Sequence, residues 1–229
     1  MGYTILIVTC ILALIAVIMN LKALENNPYS VLKIIVSVLL SFTALRYITL
    51  ILYGDSPDYS LLNTLRYFYL ASSIGITMTT ASAVWYITPR YREKIGYLYF
   101  LACFLPWMLF YAYVIIKQPT EIVQGSQFGY QLILTGKFPF YLSIVQGSFV
   151  SIIVSLCLIG IIRYKHLQIR IQLFMIILAQ MLLTLDGLSY GSERLRVFQP
   201  FTLTEFFALA TTYYAFSIAI KSIHALKNE

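Results

Sequence analysis

Charge is what this sequence has least of. Only 11% of its 229 residues are Asp, Glu, Lys or Arg, while 60% are apolar. Water-soluble domains carry about a quarter charged and about half apolar residues, so the composition excludes a water-soluble core as the main structure. Cysteine is scarce: Cys10, Cys103 and Cys157 all lie inside apolar runs, which excludes a disulfide framework and zinc-ligand spacing. Histidine is scarcer. His166 and His224 stand on polar segments, neither of them three or four residues from an Asp or Glu, so no metal site is expected. A lysine midway along the last apolar run, where a retinal would attach, is also missing; Lys221 lies at its end. Asp186-Gly187 resembles the start of an intramembrane aspartyl-protease motif, but a second membrane aspartate is lacking. Neither an enzyme nor a cofactor is expected.

What the sequence does have is long apolar runs. A spanning helix needs about 20 mostly apolar residues, and seven runs qualify: 4–21, 33–53, 61–87, 95–117, 139–162, 171–190 and 201–221. The N-terminus has neither the basic start nor the small-residue cleavage site of a signal peptide, so the first run reads as a spanning helix. Pro28, Pro57, Pro89 and Pro119 fall between runs, and Pro139 and Pro200 open runs, as a residue without an N–H should. Pro106 alone lies inside one, where a kink is expected. The reading is an all-α membrane protein over residues 1–229: a seven-transmembrane-helix bundle, multi-pass in the plasma membrane, whose first partner is the lipid bilayer.

The basic residues orient it. Lys22, Lys33, Arg90, Arg92, Lys94, Arg163, Lys165, Arg170, Lys221 and Lys227 fall on one side; Lys117, Lys137, Arg194 and Arg196 fall on the other, with Asp55, Asp58, Glu121 and Glu193. Basic residues favour the cytoplasmic side, so the N-terminus is expected outside and the C-terminus inside. The excess of 16 basic over 9 acidic residues thus reflects topology, and no nucleic-acid partner is expected. Tyr53 and Tyr59 outside, and Trp85, Tyr86 and Tyr91 inside, stand where aromatic belts form.

Four charged residues lie in the interior of the runs, away from their ends: Arg46, Arg66, Asp186 and Glu205. At about 1.5 Å per residue Arg46 is roughly 10 Å from the outer end of its run, and the others roughly 6–8 Å. A charge at mid-membrane costs about 2.5–3.5 kcal/mol on insertion scales, so such groups face the bundle and pair. They are expected to form one outer charge layer, either as structural ion pairs or as the wall of a ligand pocket, with at least one arginine within about 4 Å of an acid. Asn63, Arg66, Leu70, Ser73, Thr77 and Thr80 share one helical face. Trp107, Tyr141 and Gln146 are candidates for the same cavity.

The stretch "FTALRYITLILYGDSPDYSLLNTLRYFYLASSIG", the turn "WYITPRYR", the internal "LPW", the run "IIRYKHLQIRIQLFMIILAQMLLTLDGLSY" and the opening "PFTLTEFFALA" together resemble the N-terminal seven-transmembrane sensor region of bacterial histidine kinases and diguanylate cyclases. The resemblance covers nearly the whole chain. It implies a sensor or receptor that detects an extracellular or membrane-dissolved small ligand and passes the signal through the last helix to a cytoplasmic output domain. No phospho-accepting His segment, ATP-binding glycine box or cyclase motif stands in this sequence. The output domain is therefore expected on another chain, as a removed segment, or nowhere if this is a stand-alone relative. Two rival readings remain. One is an accessory subunit docking a membrane protein partner through Gly147, Ser148, Ser151 and Ser155. The other is a small-solute transporter, for which matched pairs of broken helices are expected and are not apparent. A reporter enzyme fused after Glu229 should read cytoplasmic, and one inserted within residues 120–136 external; an external C-terminus overturns the seven-helix count.

Overall fold

The computed structural model describes residues 2–25, 27–54, 58–125, 129–188 and 199–226, with side chains in the last segment described through Ser217. Asp55, Pro57, Glu193, Arg194, Arg196, Lys227 and the last two residues of the 171–190 run lie outside them. The fold is mostly helical. Helices α1 (Gly2–Glu25), α2 (Ser30–Tyr53), α3 (Tyr59–Tyr69), α4 (Ala71–Ile87) and α5 (Pro89–Lys94) come first. Then follow α6 (Tyr97–Ala102), α7 (Leu105–Lys117), α8 (Phe138–Arg163), α9 (Leu167–Leu188) and α10 (Thr202–Leu226). Among the described residues, five helical stretches are long and apolar enough to cross a membrane: Gly2–Glu25, Ser30–Tyr53, Tyr59–Ile87, Phe138–Arg163 and Leu167–Gly187.

The helices α1 and α9 start before, and α1 and α10 end beyond, their apolar runs, because polar residues at a membrane surface still suit a helix. Two runs are broken. In the fourth, the helix stops at Ala102 and restarts at Leu105, leaving Pro106 in the first turn of α7. An unbroken helix would need the Pro106 N–H on the Ala102 carbonyl, and proline has none. The expected kink is thus a complete interruption. The third run breaks at Leu70 without a proline. Leu70 has φ −101° and ψ 8°, and the Ser73 N–H turns to the Leu70 carbonyl at 3.1 Å instead of that of Tyr69. The continuous helix expected over 61–87 is therefore two.

The connection between α7 and α8 folds into a hairpin. Strands β1 (Thr120–Gly125) and β2 (Gly129–Leu134) pair antiparallel, with Thr120 opposite Leu134. Gln118, in the left-handed region at φ 49°, turns the chain out of α7 into it.

The helix α4 is the axis of the molecule. It packs on α2, α9 and α10, while α1 packs on α2 and α10, and α8 on α9. Fifteen of its residues are buried, as befits a helix without a solvent face. Its composition, "ASSIGITMTTASAVWYI", explains how: small residues let neighbouring backbones approach. Around it, Val8, Ile11, Ile15, Ile34, Ile144 and Ile162 point outward. That apolar exterior is compatible with lipid as the surrounding medium. The expected aromatic belts differ. Tyr53, Trp85 and Tyr86 are buried; the Tyr53 ring meets that of Tyr69 at 5.4 Å, and Trp85 Nε1 donates to the Ile95 carbonyl at 2.9 Å. Each aromatic found a protein partner for its polar edge or ring face in place of the headgroup region. Tyr59 is exposed.

Helices α2 and α4 approach closely at Gly75, where a Cβ would overlap Thr43 Oγ1 and the Leu39 carbonyl oxygen. Gly75→Ala should therefore destabilise by about 1–3 kcal/mol, the usual range for overpacking, seen as a lower melting temperature in detergent. Gly147→Ala, whose Cβ meets nothing within 4 Å, should melt with wild type.

Candidate functional site: a buried ion pair at a cavity wall

Helix α2 carries Arg46 and helix α10 carries Glu205 in its first turn. The two meet inside the bundle: Arg46 Nε lies 3.2 Å from Glu205 Oε2, and the residues are only 4% and 6% exposed. The carboxylate is further satisfied by Tyr47, whose hydroxyl donates to Oε2 at 3.0 Å, and by Ser72, whose hydroxyl donates to Oε1 at 2.7 Å. The guanidinium also donates through Nη1 to the Tyr69 carbonyl at 2.7 Å. That carbonyl is the one released by the break at Leu70. The pair and the break thus belong to one arrangement: the helix gives up an internal bond and the arginine occupies the acceptor. A second released carbonyl, that of Arg66, accepts from Gln118 Nε2 at 3.3 Å. The Arg46 guanidinium also lies 5.6 Å from the centre of the Tyr69 ring.

Asp186 does something else. Its Oδ2 accepts from the Phe201 N–H at 2.8 Å and from Thr204 Oγ1 at 2.8 Å. Both donors belong to the start of α10, so the carboxylate acts across a helix–helix junction as a cap acts within one chain segment. The positive end of the α10 dipole favours Asp186 and Glu205 alike.

The other sequence candidates divide. Arg66 forms no ion pair among the described residues; it is half-buried and lies 5.9 Å from the centre of the Tyr67 ring. Asn63 is exposed on α3, before the break at Leu70. Trp107 Nε1 ties α7 to α8 through the Val145 carbonyl at 3.1 Å and Ser148 Oγ at 2.9 Å. Tyr141 is exposed beside Phe138 and Phe140. Neither Trp107 nor Tyr141 lines the cavity described next. Gln146 does, accepting a hydrogen bond from Tyr111.

The cavity has a volume of about 160 Å³ and lies among α4, α7, α8, α9 and α10. Arg46 and Glu205 form part of its wall, Ser73, Thr77 and Thr184 add hydroxyls, and Ile76, Leu142, Leu183 and Phe201 supply apolar surface. A mostly apolar cavity with a few convergent polar groups is the usual form of a small-molecule site. Sequence reasoning missed Tyr47, Ser72 and Tyr111. Tyr47 carried a faint signal, since "LRY" occurs twice, at 45–47 and 65–67; Ser72 and Tyr111 carried none.

One catalytic pattern was also overlooked. Residues 187–191, "GLSYG", match the nucleophile elbow G-x-S-x-G. That elbow needs a strand before the serine, and here the helix α9 runs to Leu188; Ser189 lies outside the described residues.

Comparison with protein-family models, curated proteins and solved structures finds no match to this chain.

Breaking a buried pair by removing one partner typically costs about 3–5 kcal/mol. Glu205→Leu should therefore sharply reduce the yield and melting temperature of detergent-solubilised protein. Adding Arg46→Met should recover part of the loss. Asp186→Asn keeps an acceptor for Phe201 and Thr204 and should be close to wild type, whereas Asp186→Leu should lose about 0.5–2 kcal/mol, the range for a helix cap. Equal melting temperatures for all four proteins would remove any energetic role for the layer.

Proposed function

We propose that this chain is a non-catalytic receptor module of a bacterial plasma membrane, with seven spanning helices, an external N-terminus and a cytoplasmic C-terminus. On this reading the two helical stretches beyond the five long apolar ones, α6–α7 and α10, also cross the bilayer. The division of ten basic residues against four supports the orientation. A small molecule arriving from outside or from the outer leaflet enters the cavity. Its unequal affinity for two helix arrangements biases α10, which carries the signal to a cytoplasmic or membrane-bound protein partner.

The observation that carries this reading is the position of the Arg46–Glu205 pair. It forms the cavity wall and at the same time joins α2 to the first turn of α10. Anything that engages the guanidinium from the cavity acts on the helix that leaves the membrane last. The helix is suited to relay that change, since it continues without interruption from Thr202 to Leu226.

The second reading is a transporter, favoured by the breaks in the third and fourth runs. Transporter repeats place their broken helices at corresponding positions in two halves, whereas these two are consecutive, so the receptor is the better account.

A distance measurement tests the proposal. Cysteine spin labels would replace Leu167 and Ser222 in a background lacking Cys10, Cys103 and Cys157. Gly147 lines the cavity, and a Cβ there meets nothing within 4 Å, so Gly147→Leu puts a side chain where a ligand would sit. A receptor should show a changed distance distribution between the labels when the cavity is filled in this way. Superimposable distributions in lipid nanodiscs would sink the relay.

A further inference from the structure

The cavity has a second lobe. A smaller space of about 60 Å³ lies beneath the hairpin, lined by Thr120, Gln131, Gln199 and Pro200. Arg46, Leu70, Leu134, Leu142 and Phe201 line both spaces, so the two are neighbours across the guanidinium. Their chemistry differs. In the larger lobe the hydroxyls of Ser73, Thr77, Thr184 and Ser143 donate to carbonyls of their own helices, leaving a largely apolar wall. The smaller lobe has unused hydrogen-bonding capacity. Gln199 is 4% exposed and donates through Nε2 to the Tyr69 hydroxyl at 2.7 Å, while its Oε1 has no hydrogen-bond partner among the described residues. Arg46 has five N–H donors. The Tyr69 carbonyl and, at the limiting distance of 3.5 Å, the Pro200 carbonyl take two of them; Nε lies 3.2 Å from Glu205 Oε2 as an ion-pair contact without a hydrogen bond, so three are left over. Buried polar groups without partners are costly, and their concentration here points to a group that supplies both kinds of partner.

We infer that the site takes an amphipathic molecule: an apolar chain in the larger lobe and a compact, uncharged head, carrying both a hydrogen-bond donor and an acceptor, in the smaller one. The acceptor meets the spare N–H groups of Arg46 and the donor meets Gln199 Oε1. A carboxamide has both. A carboxylate head is disfavoured because Glu205 already balances the one guanidinium at 3.2 Å, and a second anion would be buried beside the first. An ammonium head would face Arg46. This inference rests on the receptor reading and specifies the ligand class of the same cavity.

The test uses the full chain in lipid nanodiscs with two probes of equal chain length, octanamide and octanoate at pH 8, measured by equilibrium binding of the tritiated compounds. Octanamide should bind saturably and octanoate weakly. Gln199→Leu, which removes the acceptor, should weaken octanamide about tenfold, equivalent to one hydrogen bond of about 1.4 kcal/mol. Gly147→Leu, which occupies the larger lobe, should abolish binding while elution on size exclusion stays that of wild type. Tighter binding of octanoate, non-saturable uptake alone, or equal octanamide affinity in wild type and both variants would overturn the inference. Those outcomes, combined with a changed label distance in Gly147→Leu, reject the ligand class and leave the receptor reading standing. An unchanged distance rejects the receptor reading itself.

Discussion

A guanidinium that has left water must find acceptors, and this fold is organised around how Arg46 finds them. One is a carboxylate from the last helix; another is a carbonyl that the third run released by ceasing to be a helix for one residue. Each acceptor fixes an element. Glu205 holds α10 against α2. The Tyr69 carbonyl holds the junction of α3 and α4. Tyr47 and Ser72 complete the carboxylate's bonding, while the guanidinium keeps N–H groups to spare. Such pairs contribute little net stability compared with well-packed apolar residues. Their effect is geometric: they admit one arrangement of three helices and penalise the rest.

The mostly helical fold and its five long apolar helices were legible because they follow from a local property. Apolar runs separated by polar turns mark helices wherever they occur, and the helices of the runs 4–21, 33–53 and 139–162 lie close to their predicted limits. Pro106 marked the fourth run correctly as irregular, since the lost N–H is a local fact. The break at Leu70 was not legible. Nothing in "YFYLASS" forbids a helix; the conformation is held by Arg46, 23 residues earlier in sequence than the carbonyl it reaches, and by Gln118 from the end of α7. The hairpin was missed for a similar reason, because a short polar-apolar segment between two long runs has little pattern of its own.

The candidate site was half legible. Rare charges in an apolar run announce themselves, so Arg46 and Glu205 could be singled out from sequence. Their depth could be estimated, but their partners could not. Asp186, at a comparable depth, caps the start of α10 instead of joining the pair. Arg66 lies on α3, before the break. Residues of ordinary type, such as Ser72, Tyr111 and Gln199, gain their importance only from the tertiary arrangement.

The break at Leu70 also bears on how the chain is made. Synthesis proceeds from the N-terminus, so a chain that enters a bilayer as it is made commits Arg46 to the apolar phase long before Glu205 exists. Of the partners that the arginine has in the finished fold, the Tyr69 carbonyl is the one already synthesised by then. A main-chain acceptor freed in the next apolar run can therefore chaperone the cation through assembly, holding it until the last helix arrives with the opposite charge.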